Sequence, residues 1–417
     1  MAEDSAQPAL LILLIGSNPL PNFLTACALK PQKIALIHTP ETEKVSERLR
    51  QSLAKALGAE TETVPEAIED AASAHQVARR VGELVREGRQ AGRVVLNYTG
   101  GTKVMAAHAL RAFVEAGGSP DDSCYLDDGG PGASPRLRFD NGTFRTLEDC
   151  GVQPLAFETL LGLHGARLQR LSPREPAPRA DDAKAMAQRI LAQPPLAQQV
   201  YEAMQETFGR ESDPKKLTGR PFDATKFCVK LSIGPFPTEA QIEPFSSSKA
   251  DRESWFKQWR RFVGGGWLED WVAERIEKTG LFEDGQAEPV SGFQVFRGDR
   301  SSQLEIDIAV VRNYRSYFIS CTTARDKGTC KQKLFEIAVR ARQLAGDLAR
   351  AALVCLAEGN TLNQLRDEVD DEEAGGMAYR VPGAAAVRVF GLEDLHPWAG
   401  WAGAAPNLET LKGWLES

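Results

Sequence analysis

Residues 93–103 read Arg93-Val94-Val95-Leu96-Asn97-Tyr98-Thr99-Gly100-Gly101-Thr102-Lys103. Four apolar or β-favouring positions run into a pair of glycines, and a helical pattern starts at once. From 102 to 116, Met105, Ala106, Ala109, Leu110, Phe113 and Val114 recur on one side of a 3.6-residue period. The reading is strand, tight turn, helix. Two glycines let the backbone approach a ligand closely, and the following helix N-terminus presents unpaired N–H groups to an anion. Thr99 and Thr102 add hydroxyls and Lys103 adds a mobile positive charge. The GxxxxGK[ST] spacing of a P-loop is absent.

Working outward, further strands are expected at 9–15, 33–38 and 123–127, and helices at 42–57 and 67–87. Such alternation predicts a parallel sheet with helices on both faces, because parallel strands need crossovers. Ligands of such sheets sit beyond the carboxyl ends of the strands. The first strand ends there in a second tight turn, Gly16-Ser17-Asn18-Pro19-Leu20-Pro21. Two turns on adjacent strands face one another across a crevice.

The rest of the chain has a different order. Residues 171–182 are Pro-rich and charged, 183–208 are helical apart from Pro194-Pro195, and 210–250 are irregular, ending in Ser246–Ser248. A helix is expected at 267–278, strands at 292–296, 304–311 and 316–321, then a helix at 331–345 and a strand at 351–356. The expected fold class is α/β: an N-terminal Rossmann-like parallel sheet over 1–155, a helical and irregular connector over 156–250, and a second α/β domain over 251–417. The chain has 417 residues and a net charge of −7. No apolar run reaches the roughly 18–20 residues of a membrane span, and residues 1–7 carry Glu3 and Asp4 with no basic stretch. Seven scattered cysteines without a CxxC pair argue against a zinc knuckle or a disulfide framework. A reduced, cytoplasmic protein with no membrane partner is expected.

Glu305 and Asp307 stand two apart in an otherwise apolar strand and so share a face. Two such carboxylates cost free energy unless paired or bound to a cation, and hard divalent ions such as Mg²⁺ or Mn²⁺ want oxygen ligands. The alternative is an exposed strand face with scattered acids. Between 312 and 350, nine basic residues face three acidic ones, an excess of +6 that suits a phosphate footprint or a solvated helix face. The five histidines show no metal spacing, and Cys321 has no identifiable His partner. Trp398 and Trp401 read as packing anchors.

Asn97-Tyr98-Thr99-Gly100-Gly101-Thr102-Lys103-Val104-Met105, with Leu13-Leu14-Ile15-Gly16-Ser17-Asn18-Pro19-Leu20-Pro21 before it, closely resembles the CRISPR-associated Rossmann-fold (CARF) sensor domains over roughly residues 8–150. That resemblance implies a homodimer that binds a cyclic oligoadenylate, most often cyclic tetra-adenylate, across its two-fold axis. Gly16, Ser17, Asn18, Asn97, Thr99, Gly100, Gly101, Thr102 and Lys103 are the positions that then line the ligand pocket. A two-fold ligand suits an interface in which each subunit supplies the same patch.

Residues 250–360 resemble the PD-(D/E)xK nucleases fused to such sensors, a restriction-endonuclease-like fold. The resemblance assigns Glu269 as the helix glutamate and Asp307 as the strand aspartate, with Glu305 as a further metal ligand. Where that pattern has acid-x-lysine, this chain has Ser320-Cys321-Thr322. Two readings follow. Lys331 or Lys333 reaches back from the next helix, with Glu336 replacing the acid, and the domain cleaves RNA or DNA with Mg²⁺ or Mn²⁺. Otherwise the domain is degenerate and only binds. A third possibility is a ring nuclease, with Lys103 and Thr102 acting on the cyclic ligand.

Overall fold

A computed structural model describes residues 7–58, 60–128, 134–170, 180–200, 202, 261–282, 290–297, 303–312, 314–370, 386–400 and 403–416. The irregular stretch 210–250, its Ser246–Ser248 boundary, most of the Pro-rich linker, Cys228 and Trp401 lie outside the described residues. The N-terminal sheet takes β1 (Leu10–Leu14), β2 (Lys33–His38), β3 (Glu62–Ala67), β4 (Val94–Asn97), β5 (Ser123–Asp127), β6 (Arg136–Phe139) and β7 (Phe144–Thr146) in the order β3-β2-β1-β4-β5-β6-β7. The first five strands run parallel and β6 and β7 return antiparallel. Alternate residues of β1 face opposite helical layers. Leu10, Ile12 and Leu14 pack with α3 (Ala74–Ala91) and α4 (Lys103–Glu115), while Leu11 and Leu13 pack with α1 (Leu20–Leu29) and α2 (Glu43–Leu57). A strand covered on both faces must be apolar throughout, which is why Leu-Leu-Ile-Leu-Leu stands out in the sequence.

The expected helix at 67–87 instead begins at Ala74, where the Ser73 side chain accepts from the Gln76 N–H and caps it. Ahead of it, β3 escaped the periodicity because it is a polar edge strand, Glu-Thr-Val-Pro-Glu-Ala, in which Pro65 is tolerated at the sheet margin.

The second sheet has the order β13-β12-β11-β10-β9-β8. Its strands are β8 (Ala166–Arg170), β9 (Val290–Arg297), β10 (Gln303–Arg312), β11 (Arg315–Thr322), β12 (Ala349–Cys355) and β13 (Ala386–Phe390). Between β8 and β9 come α6 (Ala180–Ala192) and α7 (Trp267–Glu277), which pack together on one face. On the other face lies α8 (Lys327–Ala345), followed after β12 by α9 (Gly359–Asp370). Two short helices, α10 (Leu392–Ala399) and α11 (Glu409–Leu415), close the chain, and Trp398 is fully buried against Phe390. The sheet therefore takes an edge strand from residues 166–170, where polar Ala-Arg-Leu-Gln-Arg carries little strand signal.

One apolar cluster runs through both halves. It joins Leu11, Phe23 and Leu49 of the first unit to Phe318, Ile337 and Leu344 of the second, through Leu160 and Leu161 of α5 (Phe157–Leu163). Polar contacts reinforce it: the Tyr314 hydroxyl donates to the Val152 carbonyl at 2.6 Å, and Arg315 donates to the Asp128 carbonyl at 2.6 Å. At the end of α8, Gly346 has φ +69°, and a Cβ there would lie 2.5 Å from the Asn18 side chain. Gly346→Ala therefore combines left-handed strain with a clash. It is expected to lower stability by about 1–2 kcal/mol, read as a fall in thermal midpoint, whereas an unchanged midpoint would show that the two units are not in contact there.

Candidate functional sites

The turns after β1 and β4 meet, because β1 and β4 are parallel neighbours. A Cβ on Gly16 would stand 3.0 Å from the Gly101 nitrogen, and Gly101 itself has φ +76°. Gly100 is tighter still, since a Cβ there would stand 2.0 Å from the Leu14 carbonyl oxygen. The same carbonyl accepts from Nδ2 of Asn22 at 2.9 Å. Asn22 is fully buried beneath the turn. The sequence reading missed it, although a polar residue inside the apolar Leu20–Leu29 helix was a signal.

The other residues of this turn divide by what their side chains do. Asn97 is fully buried, its Oδ1 accepting from the Thr99 N–H at 3.2 Å. The Thr99 hydroxyl accepts from the Leu126 N–H at 2.6 Å and ties the turn to β5. Thr102 caps α4, accepting from the Met105 N–H at 3.1 Å. Ser17, Thr102 and Lys103 are exposed at the crevice, with Lys103 in the first position of α4. Asn18 turns the chain into α1 by accepting from the Leu20 N–H at 3.2 Å. The arrangement is a shaped backbone floor with hydroxyls and one mobile cation at its rim, which suits an anionic ligand.

A second site lies where α7 meets the end of β11. Oδ2 of Asp307 accepts from the Cys321 N–H at 2.7 Å and from the Ser320 hydroxyl at 3.1 Å. The residues standing where acid-x-lysine was expected thus hold the aspartate in place. Glu269 lies in the first turn of α7 with its side chain only 15% exposed and ion-paired to Arg261 at 2.8 Å. Burial and the nearby Asp307 carboxylate push Glu269 up to about 7, against the pull of Arg261. Burial, reinforced by Asp307 and Glu269, also drives the Cys321 thiol far up, which leaves it a poor nucleophile.

Lys331, Lys333 and Glu336 are not brought to this pair. Lys331 gives its ammonium to Glu368 of α9 at 2.8 Å, and Lys327 shares that carboxylate at 3.7 Å. Glu336 pairs with Arg340 and lies 4.0 Å from Lys333. Glu305 occupies β10 opposite Gln294. The basic excess over 312–350 is about halved by three acids from outside that window: Glu358 on Arg325, Glu368 on two lysines and Glu416 on Arg312. Arg261, missed by the sequence reading, carried one signal. It precedes Phe262-Val263-Gly264-Gly265-Gly266, a glycine run at odds with an ordinary helix start.

The fold and these two sites define a two-sheet α/β protein with an anion-suited crevice in one sheet and a buried carboxylate pair in the other. The sequence matches no protein-family model and no curated relative. Solved structures match from end to end. Can2 from Sulfobacillus thermosulfidooxidans, in complex with cyclic tetra-adenylate, superposes with a TM-score of 0.64 at 16% identity, covering 99% of this chain and 98% of that one. Protein VC1899 from Vibrio cholerae gives 0.60 at 17% identity over 93% and 94%. A type III CRISPR defence DNA nuclease activated by cyclic oligoadenylate gives 0.50 at 17% identity, over 84% of this chain and 46% of that one. The chain has the fold of these proteins.

Two outcomes test the geometry. Gly100→Ala is expected to destabilise by at least about 1–3 kcal/mol in urea unfolding, because the new carbon overlaps a backbone oxygen, while Lys103→Ala leaves stability unchanged. Glu269 has a folded value above its unfolded one, so it binds its proton more tightly in the folded chain, and rising pH between about 4.5 and 7 removes stability. The stability of Glu269→Gln relative to the parent should therefore rise by up to about 1.4 kcal/mol per pH unit across that window. A pH-independent difference would mean that Glu269 is not perturbed.

Proposed function

We propose that this protein is a cyclic-oligoadenylate-activated, metal-dependent nuclease of type III CRISPR defence. Residues 1–155 act as the sensor, and the second sheet, built from 251–417 together with β8 and α6, acts as the nuclease. The half-buried Glu269–Asp307 pair carries this reading, since two neighbouring carboxylates drawn in from solvent serve no packing purpose. The end-to-end likeness to a cyclic tetra-adenylate complex supports it, as do the facing turns at Gly16 and Gly101.

Ser17, Asn18, Thr102 and Lys103 then meet the ligand phosphates, over a floor shaped by Gly16, Gly100, Gly101, Asn97 and Thr99. Two copies enclose the ring, and exposed Val104 and Val114 on α4 support self-association. The ligand activates only by favouring the active arrangement of the nuclease units. The contact of Asn18 with Gly346 supplies a direct route between the ligand turn and the second unit.

Among the described residues no group of three or more His, Cys, Asp or Glu side chains is assembled for a metal. The pair nevertheless fits a hard divalent cation, because burial and the neighbouring Asp307 charge raise Glu269, and a bound cation relieves both. Glu269 and Asp307 would hold Mg²⁺ or Mn²⁺, with waters completing the shell, and Glu305 is a further oxygen donor on the same strand. Such an ion lowers the pKa of bound water and neutralises phosphate charge. Asp307 is oriented by hydrogen bonds from the Cys321 N–H and the Ser320 hydroxyl.

The test is cleavage of labelled single-stranded RNA and DNA and of supercoiled plasmid, with Mg²⁺ or Mn²⁺, with and without cyclic tetra-adenylate. Cleavage should require ligand and metal together and fall at least about 100-fold in Asp307→Ala. Tight ligand binding without cleavage would instead identify a degenerate binding module. Ligand consumption that survives Asp307→Ala but not Lys103→Ala would identify a ring nuclease.

A further inference from the structure

Arg261 and Glu269 are eight residues apart in the chain, yet their side chains meet at 2.8 Å. Along an uninterrupted α-helix that separation is about 12 Å of rise. The backbone between them departs from the α-helix. Phe262–Gly266 forms a π-helical turn in which Gly265 takes φ +149°, ψ −20°. A Cβ on Gly266 would lie 3.1 Å from the Arg261 carbonyl oxygen, a tight approach that glycine relieves. The kink at Gly265 thus brings the Arg261 side chain to the start of α7. Single π turns of this kind recur at functional sites.

The position also has a chemical purpose. A phosphodiester approaching Glu269 and Asp307 meets two carboxylates and needs a cation beside them. Lys331 is held by Glu368, and Lys333 lies towards Glu336. The Arg261 side chain stays 33% exposed while Glu269 beside it is 15% exposed, so the guanidinium spans from the buried pair to solvent. Its planar fork of donors matches two oxygens of a phosphate.

We propose that Arg261 is the phosphate-binding cation of the Glu269–Asp307 site, delivered there by the glycine-rich turn at 264–266. The identity of the ligand as a nucleic-acid phosphate rests on the nuclease reading.

The experiment measures binding of a nuclease-resistant phosphorothioate oligodeoxynucleotide to the full-length protein. Cyclic tetra-adenylate is present, Ca²⁺ replaces Mg²⁺, and salt is raised stepwise. Arg261→Gln should weaken binding about tenfold and reduce the log–log salt slope by about 0.7, the loss of one single-strand phosphate contact. Arg261→Lys, which keeps the charge, should retain most of both, and thermal melting verifies that each variant is folded. In the double variant Glu269→Gln with Arg261→Gln the weak binding should persist. Its recovery to the parental level would reduce Arg261 to a counter-ion of Glu269 and overturn the proposal. Parental affinity and slope in Arg261→Gln, equal losses in the Lys and Gln variants, or no binding by the parent would overturn it too. Cleavage assayed in parallel separates the two ideas: a parent that binds through Arg261 but never cuts refutes the nuclease reading and leaves the phosphate site standing.

Discussion

The apolar cluster that passes through α5 is the constraint on which the rest of the molecule depends. Phe157 stacks within 6.2 Å of Phe318, and the same cluster holds Leu160 and Leu161 between α2 and α8. Packed interiors transmit displacement because they have little free volume to absorb it. The two sheets share one interior, and the turn after β1 meets the end of α8 at Asn18 and Gly346. The same packing sets the polar contacts of Tyr314 with Val152 and of Arg315 with Asp128, whose geometry depends on the sheets holding one relative position.

Within that frame, both sites are built on close approaches of backbone. Gly100 sits on the Leu14 carbonyl and Gly266 on the Arg261 carbonyl, and in each case a side chain would fill the space the site requires. Gly101 and Gly265 add positive φ at the same two places. The resulting floors differ in sign. The sensor turn collects N–H groups, hydroxyls and Lys103, whereas the turn before α7 carries one arginine to two carboxylates. The first suits an anion, while the second pairs two carboxylates with one partly exposed arginine.

Charge is where sequence reading and structure part most clearly. A window over 312–350 looked strongly basic, yet Glu358, Glu368 and Glu416 reach in from later elements and neutralise much of it. Ion pairing depends on distance in space, and a linear window sees only neighbours in the chain. Of the lysines considered as replacements for acid-x-lysine, Lys331 is paired in this way, and Lys333 lies near Glu336 of its own helix. Arg261, which no linear pattern connects to Asp307, is brought to the pair by a backbone distortion.

The sequence by itself determined the alternation of β1, β2, β4 and β5 with their helices and the two glycine turns. Those features are local: buried strands read as apolar runs, amphipathic helices repeat every 3.6 residues, and a turn needs its glycines within a few positions. Edge strands such as Glu62–Ala67 and Ala166–Arg170 stayed hidden, because half-exposed strands carry no apolar run. Only the tertiary structure decided that Asn22 lies beneath Gly100, that Ser320 and Cys321 hold Asp307, and that Arg261 rather than Lys331 stands beside Glu269. Each of these joins residues from different elements. Their proximity follows from how sheets and helices pack, which no single stretch of the chain encodes.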